Sequence, residues 1–180
     1  SSMVINLGSA YAGQTVYLTA NLLKMNQLEK TKTLTKKVAT LANQVSGNLG
    51  DNVLLGVADA SKIVSIKLIN SSDNTIAPID ITSEYRLETG QTDTFYGESY
   101  LVRTVARSSI GTAMRLLVEI EYFEHSSTSG FFTVDSYSQM INDETLNKTY
   151  EDIPTYKATN GIEYRMAETI DFRPIKIGST

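Results

Sequence analysis

The chain has 180 residues, 41% hydrophobic and 20% charged, with a formal net charge of −4, one His, no Cys and no Trp. That length supports one ordinary domain with a conventional core. The missing Cys excludes disulfides, thiolate metal sites and thiol nucleophiles, and the acidic balance gives no field to gather nucleic acid or an anionic membrane. Neither partner is expected.

Counts of 18 Ser, 21 Thr and 10 Tyr favour strands and turns over helices. In chain order, Met3 to Leu7 and Thr15 to Leu22 read as strands. The next segment, Leu28 to Val45, is ambiguous. Leu34, Val38, Leu41 and Val45 recur at helical spacing, whereas Thr31, Thr33 and Thr35 are β-branched and alternate. Strand is preferred there, since alternating β-branched residues suit a pleated surface. The lysines from Lys24 to Lys37, balanced only by Glu29, are expected to form a solvated face.

Ser46 to Asn52 is a glycine-containing loop without the Gly-Lys-Ser/Thr ending of a phosphate loop. In Lys62 to Ile69 the alternation puts Val64, Ile66 and Leu68 on one face. Turn residues cluster at Asn70 to Asn74 and Ser126 to Gly130. Tyr100 to Ala106 and Phe131 to Val134 are further strand candidates. The clearest signal is Arg115 to Phe123, where Leu116, Val118, Ile120 and Tyr122 share one face and Glu119 and Glu121 the other. The expected fold is an all-β, antiparallel β-sandwich, Ig-like or related, over residues 1–137, with strands 1–45 as a candidate small subdomain. Residues 138–180, polar and broken by Pro154 and Pro174, read as an irregular, extended connector. Ser1-Ser2-Met3 and Ile177 to Thr180 read as cut ends of a longer polypeptide.

The chemistry-bearing residues give no catalytic, cofactor or metal site. His125 reads as an exposed turn histidine, because no Gly-x-Ser-x-Gly turn presents a nucleophile to it. One His cannot furnish the zincin spacing His-Glu-x-x-His. Glu119 and Glu121 have the spacing of a glycosidase pair, yet their alternation with a core face leaves them solvated rather than facing a cleft. Asp51, Asp73, Asp80, Asp93 and Asp135 lie near turns without an Asp-x-Asp-x-Asp-Gly run, so they read as turn and capping residues rather than calcium ligands. Tyr85, Phe95, Tyr96, Tyr100, Tyr122, Phe123, Phe131, Phe132 and Tyr137 read as core, with a sugar- or protein-binding platform as the rival.

Five stretches form a set: Asp80-Ile81-Thr82-Ser83-Glu84-Tyr85-Arg86-Leu87-Glu88-Thr89-Gly90-Gln91-Thr92-Asp93-Thr94-Phe95-Tyr96, Glu121 to Ser126, Phe131 to Tyr137, Tyr150 to Tyr156, and Asp171-Phe172-Arg173-Pro174. Over about residues 53 to 174 this set resembles a module of very large virion structural proteins of T4-like tailed bacteriophages, including those of marine cyanobacteria. There the module sits in tail, baseplate or fibre components. Thr92 departs from that pattern, which has a basic residue between Gln and Asp. The resemblance implies a place in a virion assembled in the bacterial cytoplasm, with other virion proteins and neighbouring modules of a longer chain as partners. A homo-trimer is the assembly state a fibre would imply. It brings no catalytic residues and no cofactor, so the expected function is non-enzymatic and structural, and the alternative is a receptor- or glycan-binding module of a tail fibre. Within the set, Asp80 is expected to accept backbone N–H groups, Gly90 to take a positive φ, Phe95 and Tyr96 to cap the core, and Phe172 to anchor the exiting chain.

Overall fold

The computed structural model describes residues 9–11, 13–15, 27–41, 49–106 and 113–178. The expected strands Met3 to Leu7 and, apart from Thr15, Thr15 to Leu22 lie outside the described residues, as does the start of the Ser46 to Asn52 loop.

Nine strands are described: β1 (Lys32–Leu41), β2 (Asn52–Ala58), β3 (Ala60–Asn70), β4 (Ile79–Asp80), β5 (Tyr85–Glu88), β6 (Glu98–Arg103), β7 (Met114–His125), β8 (Thr155–Lys157) and β9 (Glu163–Arg165). They form an antiparallel four-stranded sheet in the order β1-β7-β3-β4, a three-stranded sheet β2-β6-β5, and the hairpin β8-β9. The fold is therefore the expected all-β sandwich. Its core is the set of inward positions of the two larger sheets: Val53, Leu55, Ile66, Leu68, Leu101, Leu116, Val118 and Ile120.

The period-two pattern of β7 is realised. Leu116, Val118 and Ile120 are buried, and Glu121 lies in register opposite Lys36 on β1 and Lys62 on β3. Glu119 and Glu121 thus stand on the outer face, Glu121 as the cross-strand neighbour of two lysines and Glu119 opposite Val38 and Ser65. Segment 28–45 contains a strand: β1 pairs with β7 without interruption from Lys32↔His125 to Leu41↔Leu116. The helical spacing through Val38 is unused, and Val38 is 63% exposed. Because β1 is integral to the first sheet, this part of residues 1–45 is not a separate subdomain.

Three expectations are corrected. Val64 does not join Ile66 and Leu68 in the core, because register shifts between Ile63 and Ser65 break the alternation of β3. Phe131 to Val134 is not a strand. Phe131 and Phe132 make single bridges to Glu29 and Asp171, and Thr133 then caps a 3₁₀ turn, Val134–Tyr137, in a capping box with Ser136. Residues 138–180 are irregular, as expected, but are not a free connector. After the short helix α1 (Ser138–Ile141), Met140, Ile153 and Met166 pack with Phe123 and Tyr137 in a second core. Their apolar residues come singly and without period, so no pattern announces them.

Gly90 takes the expected left-handed conformation at φ +69°, and a Cβ there would lie 2.1 Å from the Glu98 carbonyl oxygen. Gly90→Ala is accordingly expected to cost about 2–5 kcal/mol, combining the left-handed penalty with overpacking against backbone. A denaturant-midpoint comparison at constant slope tests this, and a cost below about 1 kcal/mol would contradict it.

Candidate functional site

The polar residues that matter lie inside. Lys32 opens β1 and Asp59 forms the link between β2 and β3, while His125 closes β7 opposite Lys32. Asp59 has a φ of +58°, a conformation a non-glycine residue adopts only when its surroundings impose it. Its carbonyl accepts from Phe123 N–H at 3.0 Å, and this turns the carboxylate inward. The side chains of Lys32, Asp59 and His125 are 2%, 4% and 0% exposed.

Asp59 Oδ2 accepts from Lys32 Nζ at 2.6 Å and from His125 Nε2 at 2.7 Å, and Oδ1 accepts from Gln91 Nε2 at 2.7 Å. Lys32 Nζ also donates to Tyr96 Oη at 2.9 Å, and Tyr96 in turn donates to Asp171 Oδ2. Arg173 completes the cluster. It binds Asp171 through Nε at 3.0 Å and Nη2 at 2.9 Å, Tyr96 Oη at 3.0 Å and the Thr92 carbonyl at 3.0 Å. Its guanidinium stacks between Tyr96 and Tyr156, 4.4 and 4.1 Å from the two ring centroids. Six separate stretches of chain meet here.

The cluster is close to charge balance. Burial alone would raise the Asp59 carboxyl, but the Lys32 ammonium and the His125 hydrogen bond hold it below the usual carboxylate range. Burial likewise opposes ionisation of Asp171 and is outweighed by Arg173 and Tyr96. Burial lowers the Lys32 ammonium against the pull of Asp59. His125 is lowered by burial as well, so the ring is neutral at pH 7 and gives its Nε2–H to Asp59. Tyr96 is pushed far up by burial and by Asp59 and Asp171, and it keeps its proton.

His125 is therefore not an exposed turn residue. Its ring lies edge-on to Tyr96 and Phe132, with centroids 4.8 and 4.7 Å away. Nδ1 has no hydrogen-bond partner, so no serine completes a relay. The lysine run is corrected too, since Lys30 and Lys32 are each 1% exposed rather than part of a solvated face. Phe172, expected as the anchor, is 58% exposed, and its neighbours Asp171 and Arg173 hold the segment instead. Tyr85, Tyr96, Phe123, Phe132 and Tyr137 are core as expected. Asp73 and Asp80 make the expected turns, each accepting at 2.9 Å from the N–H two residues on. Asp93 instead reaches across the chain, to Tyr156 Oη at 2.6 Å and Thr159 N–H at 3.1 Å. Among the described residues no three His, Asp or Glu side chains are grouped to hold a metal.

The Asp171–Arg173 end of the cluster borders an open groove of about 480 Å³, lined also by Asp93, Asn160, Tyr156, Tyr164 and Phe172. The space within the cluster itself is about 10 Å³. Comparison with protein-family models, with curated proteins and with solved structures finds no match to this chain.

The cluster makes stability depend on pH with a definite sign. His125 has a folded pKa below its ordinary 6.5, so its contribution is present above that value and is lost as the pH falls toward the folded one. Asp59 and Asp171 are also depressed and add a second loss below about their ordinary 3.8. Urea midpoints are expected to decline from pH 6.5 downward, with a slope of up to about 1.4 kcal/mol per unit from His125 alone. His125→Gln is expected to flatten the limb between pH 6.5 and the carboxylate range. An unchanged limb in that variant would remove His125 as its source.

Proposed function

We propose that this chain is a structural module of a bacteriophage virion, in a tail, baseplate or fibre, that works through contacts with other virion proteins and with neighbouring modules. The observation that best supports a structural role is where the reactive groups lie. Lys32, Asp59 and His125 are turned inward, and with Asp171 and Arg173 they join chain segments to one another; the space beside Lys32 and Asp59 is about 10 Å³ and holds roughly one water molecule. No substrate of ordinary size reaches Lys32, Asp59 or His125, whose side chains are 2%, 4% and 0% exposed. The virion context rests on the resemblance of the five stretches between residues 80 and 174.

Mass-spectrometric analysis of purified particles of a tailed phage encoding this sequence tests the reading. Peptides of the module are expected at constant stoichiometry to the other tail proteins, and their absence from intact particles would end the proposal. Light scattering over a range of concentrations then separates two forms of it. A stable trimer assigns the module to a fibre, and a monomer assigns it to a bead in a longer structural polypeptide.

The groove supports glycan binding as a second reading. Tyr164 and Phe172 are 39% and 58% exposed along it, beside the carboxylate of Asp93 and the amide of Asn160. Aromatic faces next to fixed polar groups are what a saccharide ring requires. Titration with oligosaccharides from bacterial surfaces is expected to give saturable binding that weakens about tenfold in Tyr164→Ala. Binding that this substitution leaves unchanged would place the sugar elsewhere.

A further inference from the structure

The Lys32–Asp59 pair has more than the geometry of an ion pair. Nζ stands 2.6 Å from Oδ2, which puts it roughly 3.5 Å from the carboxyl carbon, the separation of a near-attack conformer. The amine is surrounded by aromatic rings, with the centroids of Tyr96, Phe132, Tyr137 and Phe123 at 4.3, 4.6, 5.2 and 5.6 Å. Each atom of the carboxyl has a suitable neighbour. Gln91 Nε2–H donates to Oδ1, where negative charge develops on attack, and His125 Nε2–H donates to Oδ2, the oxygen that departs. From the amine a hydrogen-bond path runs through Tyr96 Oη to the Asp171 carboxylate. The left-handed backbone of Asp59 holds the carboxyl in this position.

We propose that Lys32 and Asp59 join covalently in the folded protein, the ε-amine condensing with the carboxyl to form an intramolecular isopeptide bond.

Transfer of a proton from the ammonium to the carboxylate, uphill from the resting ion pair, first gives an amine and a carboxylic acid, at a cost that the dry surroundings reduce. The Lys32 lone pair then attacks Asp59 Cγ. A C–N bond forms, and the C–O π electrons move onto Oδ1 against Gln91. One N–H proton passes to Tyr96 Oη as Tyr96 gives its own to Asp171. The electrons on Oδ1 return to re-form the C=O double bond as the C–Oδ2 bond breaks with its electron pair on oxygen, and the departing hydroxyl takes a proton back from Tyr96, which recovers one from Asp171. Two N–H protons and one O–H proton enter; one amide N–H and one water leave. Tyr96 and Asp171 end as they began, and no oxidant, metal or activated group is consumed. The adjoining space of about 10 Å³ accommodates the released water. Burial also lowers the Lys32 ammonium, which favours the nucleophilic form.

The bond would fasten the start of β1 to the β2–β3 link across 27 positions of sequence. That suits a module under mechanical load, although its formation does not depend on the virion reading.

Intact-mass spectrometry of the unfolded 180-residue chain is the direct test. The expected mass is lower than that of the sequence by one water, and protease digestion is expected to yield a branched peptide joining Lys32 to Asp59. Lys32→Arg is expected to keep its full mass. Asp59→Asn is expected to release ammonia instead of water and so converge on the wild-type product mass. Asp171→Asn, with folding verified by circular dichroism, is expected to condense about a hundredfold more slowly and with a changed pH profile, as the loss of a proton acceptor requires. Equal rates and profiles in that variant would remove Asp171 from the path. A folded wild-type chain that retains its full sequence mass, both freshly purified and after prolonged incubation, would overturn the proposal.

Discussion

Measured against the chain before Lys32 and Asp59 condense, in which they form an ion pair, Lys32→Met is expected to lower stability by about 3–5 kcal/mol at pH 7, the cost of leaving one member of a buried pair without its partner. That is a large part of the roughly 5–15 kcal/mol by which a domain is stable. Methionine fills the volume among Tyr96, Phe123, Phe132 and Tyr137, so packing is largely kept and the loss is electrostatic. Asp59 then retains only Gln91 and the neutral His125 as donors. The pH response distinguishes this from a packing defect. Lys32 is one of the charges that depress the His125 ring, and with it gone the unmatched Asp59 raises the ring's folded pKa. A folded pKa moved up toward the ordinary 6.5 shrinks the loss of stability that wild type suffers as the pH falls below that value. The variant is therefore expected to lie closer to wild type at pH 5.5 than at pH 7.5, whereas wild type itself weakens toward acid. Urea titrations at the two pH values decide the matter, and a deficit independent of pH would contradict the assignment.

Arg173→Ala is expected to cost a similar 3–5 kcal/mol but to act locally. The guanidinium contacts Asp171, Tyr96 Oη and the Thr92 carbonyl and lies between two tyrosine rings. Its removal leaves the Asp171 carboxylate, 6% exposed, with only the Tyr96 hydroxyl and its own local backbone N–H. The C-terminal segment is otherwise held by few backbone bonds: Tyr96 N–H to the Pro174 carbonyl, Lys176 N–H to Tyr96, Ile175 N–H to Thr128, and the Phe132–Asp171 pair. Hydrogen exchange is expected to accelerate first at Tyr96, Phe132, Asp171 and Lys176, while the amides of β3 and β7 keep their protection. Arg173→Lys is expected to rescue only in part, since an ammonium cannot reproduce the fork that spans Asp171, Tyr96 and Thr92. Uniform loss of protection across both sheets would show that the segment and the sandwich unfold as one unit.

The two substitutions divide the cluster between its roles. Lys32 and Asp59 tie the first sheet to the β2–β3 link, and Asp171 and Arg173 close the C-terminal segment over them, with Tyr96 common to both pairs. Polar groups so deeply buried contribute less to net stability than apolar residues of the same size could, but they tolerate only one arrangement of the segments that carry them.

Much of the fold was legible in the sequence because a half-buried strand writes its environment at every second residue. Leu116, Val118 and Ile120 against Glu119 and Glu121 determined β7, its faces and the sandwich class, and Thr31, Thr33 and Thr35 favoured β1 as a strand. Gly90 and Asp80 carry their turns in their own chemistry, so those too were local facts. The buried cluster was not local. Lys32 in a run of lysines and His125 beside serines read as solvent-facing, and what buried them was the meeting of β1, the β2–β3 link, β7 and residues 171–173, separated by up to 141 positions from Lys32 to Arg173. No periodicity encodes such a meeting. A charge is buried only where a distant partner repays its lost hydration, and only the tertiary structure decides which residues those partners are.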